Sequence, residues 1–296
     1  MSADVGTNGS VFLVSGASRG LGREIVRAAL AAGHRVVAGV RDLSSLDDLA
    51  AADGGDRLVV VPLDVTDPAA ARAAVATAVD RFGRLDVLVN NAGYATLASV
   101  EDMTDEDFRA QVETNLFGVV HLTRAALPVL REQRAGHVVQ VSSVGGRLAT
   151  PGLSAYQTAK WGVGGFSSVL AREVGPLGVK VTVLEPGGMR TDWAGASMRV
   201  EPVREEYAGT VGASAAMHAP ESTAANDPVK VARLVLEVVG LEEPPLRLLV
   251  GPEAYAYATA AGRELLASDE RWRELSESTA ADDATPAQLD PLSQAS

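Results

Sequence analysis

The chain has 296 residues, 47% hydrophobic and 22% charged, with a net charge of −12. That balance suits a soluble globular protein long enough to bury a substantial core, and it disfavours nucleic-acid binding, since no basic stripe with interleaved aromatics occurs. With no cysteine there is no disulfide, thiol nucleophile or thiolate metal site, and no apolar run nears the roughly 18 residues that span a bilayer. The acidity is uneven: residues 1–200 carry 21 acidic and 19 basic side chains, and residues 201–296 carry 17 and 7. An acidic C-terminal third reads as a solvated surface and a soluble tail.

In chain order, Met1 to Ser10 is short and polar, without the basic start and apolar stretch of a signal peptide. Residues 1–10 are therefore expected to be a flexible N-terminus, and the cytoplasm is the expected location. Val/Leu-rich runs follow at Val11–Ser15, Arg35–Val40, Leu58–Pro62, Leu85–Asn90, His137–Val141, Val179–Leu184 and Leu246–Val250. Runs of this length suit strands buried on both faces, as in a parallel sheet. Helices are expected between them at Leu21–Ala32, Pro68–Phe82, Thr104–Gln133, Tyr156–Val174 and Pro228–Gly240. Asp67-Pro68 supplies a cap and a first-turn proline, and Gly33, Gly83 and Gly240 act as stops. This alternation predicts an α/β fold: a single domain over residues 11–278 with a doubly wound parallel sheet of about seven strands.

Residues Gly187 to Asp227 break the rhythm and contain no strand run. A long insertion after a strand's C-terminal end lies beside the ligand crevice, so 187–227 is expected to be a substrate loop, or else an ordinary surface loop. Ala254–Ser276 is expected to be helical, covering the pocket or packing on a neighbour. Residues 279–296 are Ala/Asp/Ser/Pro/Gln-rich and are expected to be disordered.

Two local patterns carry chemistry. The first strand runs into Gly16-Ala-Ser-Arg-Gly20-Leu-Gly22 and then a helix, a place where glycines let the backbone approach a pyrophosphate at a helix N-terminus. Tyr156 and Lys160 stand four apart on a helix and share a face. A lysine cation beside the phenol favours the phenolate and is expected to lower the tyrosine pKa from about 10 toward the operating range. Alone, the same pair reads equally as a packed ring beside a solvated charge.

Taken in order, Ser15-Gly-Ala-Ser-Arg-Gly-Leu-Gly22, Asn90-Asn-Ala-Gly93, Asn115, Ser143, Tyr156-x-x-x-Lys160 and Pro186-Gly187 resemble the short-chain dehydrogenase/reductase superfamily. The resemblance covers about residues 10–255, and Glu185-Pro-Gly-Gly-Met-Arg-Thr191 is similar to the 17β-hydroxysteroid and retinol dehydrogenase-like subgroup. It implies a Rossmann-type fold and an NADP(H)-dependent oxidoreductase that interconverts a carbonyl and a secondary alcohol. Tyr156 would be the general acid or base, and Ser143 would hydrogen-bond the substrate oxygen. Ser142 is the competing assignment. Lys160 would bind the nicotinamide ribose, and Asn115 would support a water in a proton relay.

The cofactor set implied by the resemblance is Gly16, Ser18, Arg19, Gly20, Leu21, Gly22, Arg41, Asp64, Val65, Asn91, Ala92, Gly93, Tyr156, Lys160, Pro186, Gly187 and Thr191. Thr191 would contact the carboxamide. Asp64 would bind the adenine amino group, or else serve as a turn residue. Val40 occupies the position where an acidic side chain would select NAD, while Arg41 and Arg19 suit a 2′-phosphate. Asp42 argues the other way. Tyr94, Leu148, Leu153, Met189 and Trp193 flank these motifs and are candidate substrate contacts, which predicts a lipophilic small molecule.

No metal is expected, since His34, His121, His137 and His218 lie far apart. Neither a nucleic-acid nor a membrane partner is expected. A homodimer or homotetramer follows from the resemblance, through helices around Thr104–Gln133 and Tyr156–Val174, where Ala159, Gly162 and Gly165 would permit close approach or else equally pack internally. Two other readings keep the same cofactor site: a redox-neutral epimerase, and a non-catalytic dinucleotide-binding regulator.

Overall fold

Among the described residues nine strands form in chain order: β1 Val11–Ser15, β2 Arg35–Val40, β3 Leu58–Pro62, β4 Val87–Asn90, β5 Ala95–Leu97, β6 Gly136–Val141, β7 Val179–Pro186, β8 Met198–Val200 and β9 Arg247–Val250. The computed structural model describes residues 9–191, 197–218 and 224–290. Seven strands make one parallel sheet in the order β3-β2-β1-β4-β6-β7-β9. The order reverses between β1 and β4, so a ligand crevice opens at the carboxyl ends of those strands.

Alternation along β1 shows how the layers form. Phe12 and Val14 face a core shared with the helices Gly20–Ala31 and Pro228–Gly240. Val11 and Leu13 face the opposite core, beneath Pro68–Phe82, Gly118–Gln133 and Ser154–Val174. Because successive side chains point to opposite faces, a strand covered on both sides must be apolar at every position, and all five residues of β1 are buried.

Three features differ from expectation. Strand β4 begins at Val87, two residues late, because the Leu85 N–H and C=O are taken by the Gln133 side chain at 3.1 and 2.6 Å. The Thr104–Gln133 helix is interrupted by a π turn at Glu113–Phe117. The region 187–227 does contain a strand, since β8 pairs in parallel with β5. Each of these two strands has three residues, too few for periodicity to register, and the partners lie about a hundred positions apart in sequence.

The small residues on the Ser154–Val174 helix divide between the two expected readings. Ala159 is fully buried, and a Cβ on Gly162 would lie 2.8 Å from Leu116, so these two pack internally while Gly165 faces open space. The C-terminal helix runs over Pro252–Arg271, and the described part of the tail carries a short exposed helix at Pro286–Leu289. Among the described residues no helix is long and apolar enough to cross a membrane.

Candidate active site

The turn after β1 and the turn after β4 are pinned together. Ser15 Oγ accepts from the backbone amides of Asn91 (3.0 Å) and Ala92 (3.2 Å), and Asn91 Nδ2 donates to the carbonyls of Ser15 and Gly16, both at 3.1 Å. Gly16 has φ +65°, and a Cβ there would lie 2.8 Å from Ala92 Cα. A Cβ on Gly22 would strike the Gly16 carbonyl. These positions accept only glycine.

The helix Gly20–Ala31 then begins at Arg19 without a side-chain cap. Its first amides are directed along the axis toward the crevice, so an uncapped N-terminus behind a glycine cradle suits an anionic pyrophosphate. Leu21 is buried and Ser18 half-buried beside it. Thr191 stands across the crevice, its side chain 3.5 Å from where a Cβ on Gly20 would lie.

At the end of β2, Val40 is 2% exposed and points into the core, whereas Arg41 is exposed. Asp42 folds back on its own loop, its Oδ1 accepting from Ser44 N (3.0 Å) and Ser44 Oγ (2.8 Å) as the cap of a short turn. After β3, Asp64 makes a comparable turn with Thr66, accepting at 2.9 Å from its N–H and 2.7 Å from its hydroxyl. Those bonds, and more weakly the Arg41 guanidinium, hold the Asp64 carboxyl below the usual carboxylate range. Asp67 caps the Pro68–Phe82 helix. Val65 is buried against Gly118. Arg19, expected at the same ribose, donates from Nη2 to Ser197 Oγ at 2.9 Å and so reaches the segment before β8.

Opposite the glycine cradle, four polar side chains converge. Ser143, at the end of β6, is hydrogen-bonded to the Tyr156 hydroxyl, and its Oγ also accepts from Gly145 N at 3.0 Å. Ser142 Oγ instead donates to the Lys160 carbonyl at 3.3 Å, away from the phenol. Lys160 is 4% exposed and donates from Nζ to Val141 O at 2.9 Å, which uses one of its three donors.

Asn115 sits in the π turn, fully buried. Its Oδ1 accepts from Tyr94 N (3.0 Å), and its Nδ2 donates to Tyr94 O (2.8 Å) and Gln111 O (2.9 Å). Gly93 makes this approach possible: a Cβ there would lie 2.5 Å from Asn115 Oδ1 and 3.7 Å from Lys160 Nζ.

The electrostatics correct one expectation. Burial pushes the Tyr156 phenol up to about 12, and the bond from Ser143 opposes this only in part. Burial also lowers Lys160 to about 8. The ammonium lies 5.6 Å from the Tyr156 ring centroid, and desolvation outweighs any help it gives the phenolate. The tyrosine is therefore a neutral phenol at pH 7, a proton donor.

The candidate substrate contacts divide. Leu153 packs with Tyr156 in an apolar cluster that also contains Ala95, Leu97, Met198 and Val211. Met189 instead packs on the main core beneath the sheet, away from Tyr156. The Leu148 carbonyl accepts from Trp161 Nε1 at 3.3 Å, and the Tyr94 hydroxyl engages Thr114. Trp193 lies outside the described residues. Leu97 and Met198 carry no local signal, because the β5–β8 pairing brings them together beside the tyrosine, and Val211 joins them from the helical turn Ala208–Gly212.

Among the described residues no three His, Cys, Asp or Glu side chains gather as a metal site. His137 is buried against Thr182 Oγ1 at 2.9 Å, and desolvation lowers its pKa to about 3.

The family model for short chain dehydrogenase matches residues 10–201. Oxidoreductase BOA17 of Botryotinia fuckeliana is 54% identical over 267 residues, which cover 90% of this chain and 97% of that protein. A 3-ketodihydrosphingosine reductase of Bacteroides thetaiotaomicron is 33% identical over 82% of this chain and 88% of its own length. The crystal structure of a short-chain dehydrogenase from Streptomyces avermitilis superposes with a TM-score of 0.87 at 37% identity, covering 93% of this chain and 99% of that one.

Proposed function

The chain belongs to the short-chain dehydrogenase family of oxidoreductases, which bind a nicotinamide dinucleotide, and on that premise we propose that it is an NADPH-dependent carbonyl reductase, reversible as an alcohol dehydrogenase, acting on a lipophilic small molecule. The observation that carries this reading is the hydrogen bond between the Ser143 and Tyr156 hydroxyls beside Lys160. When bound, the nicotinamide supplies the hydride to the carbonyl carbon.

The chain's own residues handle the oxygen. Tyr156, neutral at pH 7, gives its phenolic proton to the developing alkoxide, and Ser143 donates a hydrogen bond to the same atom. The two remaining Nζ donors of Lys160 serve the ribose hydroxyls, and its charge stabilises the phenolate left after transfer. Asn115 ties the Gly93 turn to the π turn and so sets the distance between ribose and proton relay. Pro186, Gly187 and Thr191 line the nicotinamide end. Ala95, Leu97, Leu153, Met198 and Val211 around the Tyr156 ring supply the apolar wall that supports a lipophilic substrate. The similarity to a protein named a 3-ketodihydrosphingosine reductase supports this direction.

The preference for NADPH rests on Arg41, on the inward-facing Val40, and on Asp42, whose carboxylate is engaged with Ser44. Exposed Phe117, Trp161 and Val169 on the helices around Glu113–Gln133 and Ser154–Val174 support a homo-oligomer. The test is Tyr156→Phe: NADPH binding should survive while turnover of a ketone falls by about 10²- to 10⁴-fold. Turnover at the unmutated rate would overturn the mechanism.

A further inference from the structure

Behind the loop that carries Thr191, two residues with no part in the mechanism above form a clasp. Asn226, 8% exposed, holds the loop through both backbone and side chain. Its N–H donates to Gly188 O at 3.1 Å, and its C=O accepts from Arg190 N at 2.9 Å. Its Nδ2 donates to Gly188 O at 2.8 Å and to Glu253 Oε1 at 2.6 Å.

Glu253 stands in the first turn of the C-terminal helix, directly after β9. The fit leaves no spare volume. A Cβ on Gly187 would strike Glu253 Oε1, and a Cβ on Gly251, whose φ is +108°, would strike the Asn226 side chain. A main-chain bond from Gly187 N to Val250 O (3.0 Å) closes the same corner. Glu253 Oε2 is buried with no hydrogen-bond partner among the described residues. A carboxylate held in this way is costly unless its position is needed.

We infer that Asn226 and Glu253 are positioning residues that fix the Gly187–Thr191 segment against the nicotinamide half of the cofactor, coupling the start of the C-terminal helix to hydride geometry. This rests on the cofactor assignment proposed above. In a doubly wound sheet the two mononucleotide halves bind on opposite sides of the switch point. The glycine cradle, Arg41 and Asp64 lie on the β1–β3 side, whereas the clasp lies behind the end of β7. Loosening it should weaken only ligands that possess the nicotinamide half.

The experiment compares NADPH with adenosine 2′,5′-bisphosphate, which lacks that half, by fluorescence and calorimetric titration of the full chain. Asn226→Asp sets two carboxylates against each other. It should raise the NADPH Kd about tenfold, the loss of one charged hydrogen bond, with the bisphosphate Kd unchanged. Adding Glu253→Gln restores a donor facing an acceptor and should recover most of the affinity.

Glu253→Ala, which adds no charge, should show the same split and serves if Asn226→Asp fails to fold. Equal weakening of both ligands, unchanged NADPH affinity in the single variants, or no recovery in the double variant would each overturn the clasp. A parent chain that binds neither ligand would overturn the cofactor assignment itself, and the clasp with it.

Discussion

Lys160 Nζ stands 5.6 Å from the centroid of the Tyr156 ring, and both side chains are almost wholly buried. The ammonium is held by the Val141 carbonyl, and burial rather than charge sets both acidities. Active sites often store unfavourable burial in this form, because a desolvated group gains most when its ligand arrives.

That cost is measurable. Lys160 titrates near 8 when folded and near 10.5 when unfolded, so between those values the unfolded chain binds more protons and stability rises with pH. The shift corresponds to about 3 kcal/mol. Lys160→Met lacks this group and should lack this rise. Unfolding free energies of the two proteins, measured from pH 7 to 10.5, should move in favour of the unmutated chain by about 3 kcal/mol. A constant difference across that range would contradict the buried ammonium. The same variant should lose both cofactor affinity and turnover.

Ser142 and Ser143 are adjacent but engage different groups, the Lys160 carbonyl and the Tyr156 hydroxyl. Ser143→Ala should lower kcat by about 10²- to 10³-fold, the scale of a lost donor at a developing oxyanion. Ser142→Ala should change kcat far less and act mainly on stability. Steady-state kinetics on one ketone decides it, and equal losses would reverse the assignment.

Arg41 is exposed at the end of β2, close enough to influence the Asp64 carboxyl. Arg41→Ala should raise the NADPH Kd about tenfold or more, the contribution of one charge-assisted contact, while NADH binding stays nearly constant. Titration with both cofactors is the check. Parallel losses would point to a general electrostatic effect and remove the argument for NADPH.

Glu185, fully buried at the end of β7, lies between Arg147 Nη2 and Arg247 Nη2, each at 2.5 Å. Removing the carboxylate strands two half-buried guanidinium groups directly before Pro186 and Gly187. Glu185→Ala should destabilise the fold by about 3 kcal/mol, toward the lower end for a broken buried pair because both arginines retain some water. Denaturant unfolding reads this directly, and a change below about 1 kcal/mol would show that the pair contributes little.

Much of this was legible along the chain. The apolar runs of β1 and β2 end at the residues expected, since a strand buried on both faces must be apolar throughout and leaves an unbroken signature. Gly16 and Gly22 betray themselves because only glycine tolerates those close approaches. Tyr156 and Lys160 share a face because a helix repeats every 3.6 residues. Local geometry of this kind depends on near neighbours, so the α/β order, the glycine-rich turn and the shared face of Tyr156 and Lys160 were legible in the sequence itself, whereas Asn115 and Ser143 were legible only through the resemblance to a known superfamily.

Tertiary structure decided the remainder. Leu97 and Met198 meet only through the pairing of two three-residue strands, and Asn226 meets Glu253 only beside the end of β9. The same holds for the sign of the tyrosine's shift. Spacing shows that a cation is near, but the phenol's acidity depends on how much water the whole fold removes, and here that loss outweighs the charge. Contacts between distant segments, and the dielectric they create together, are properties of the packed chain and leave no mark on any single stretch of it.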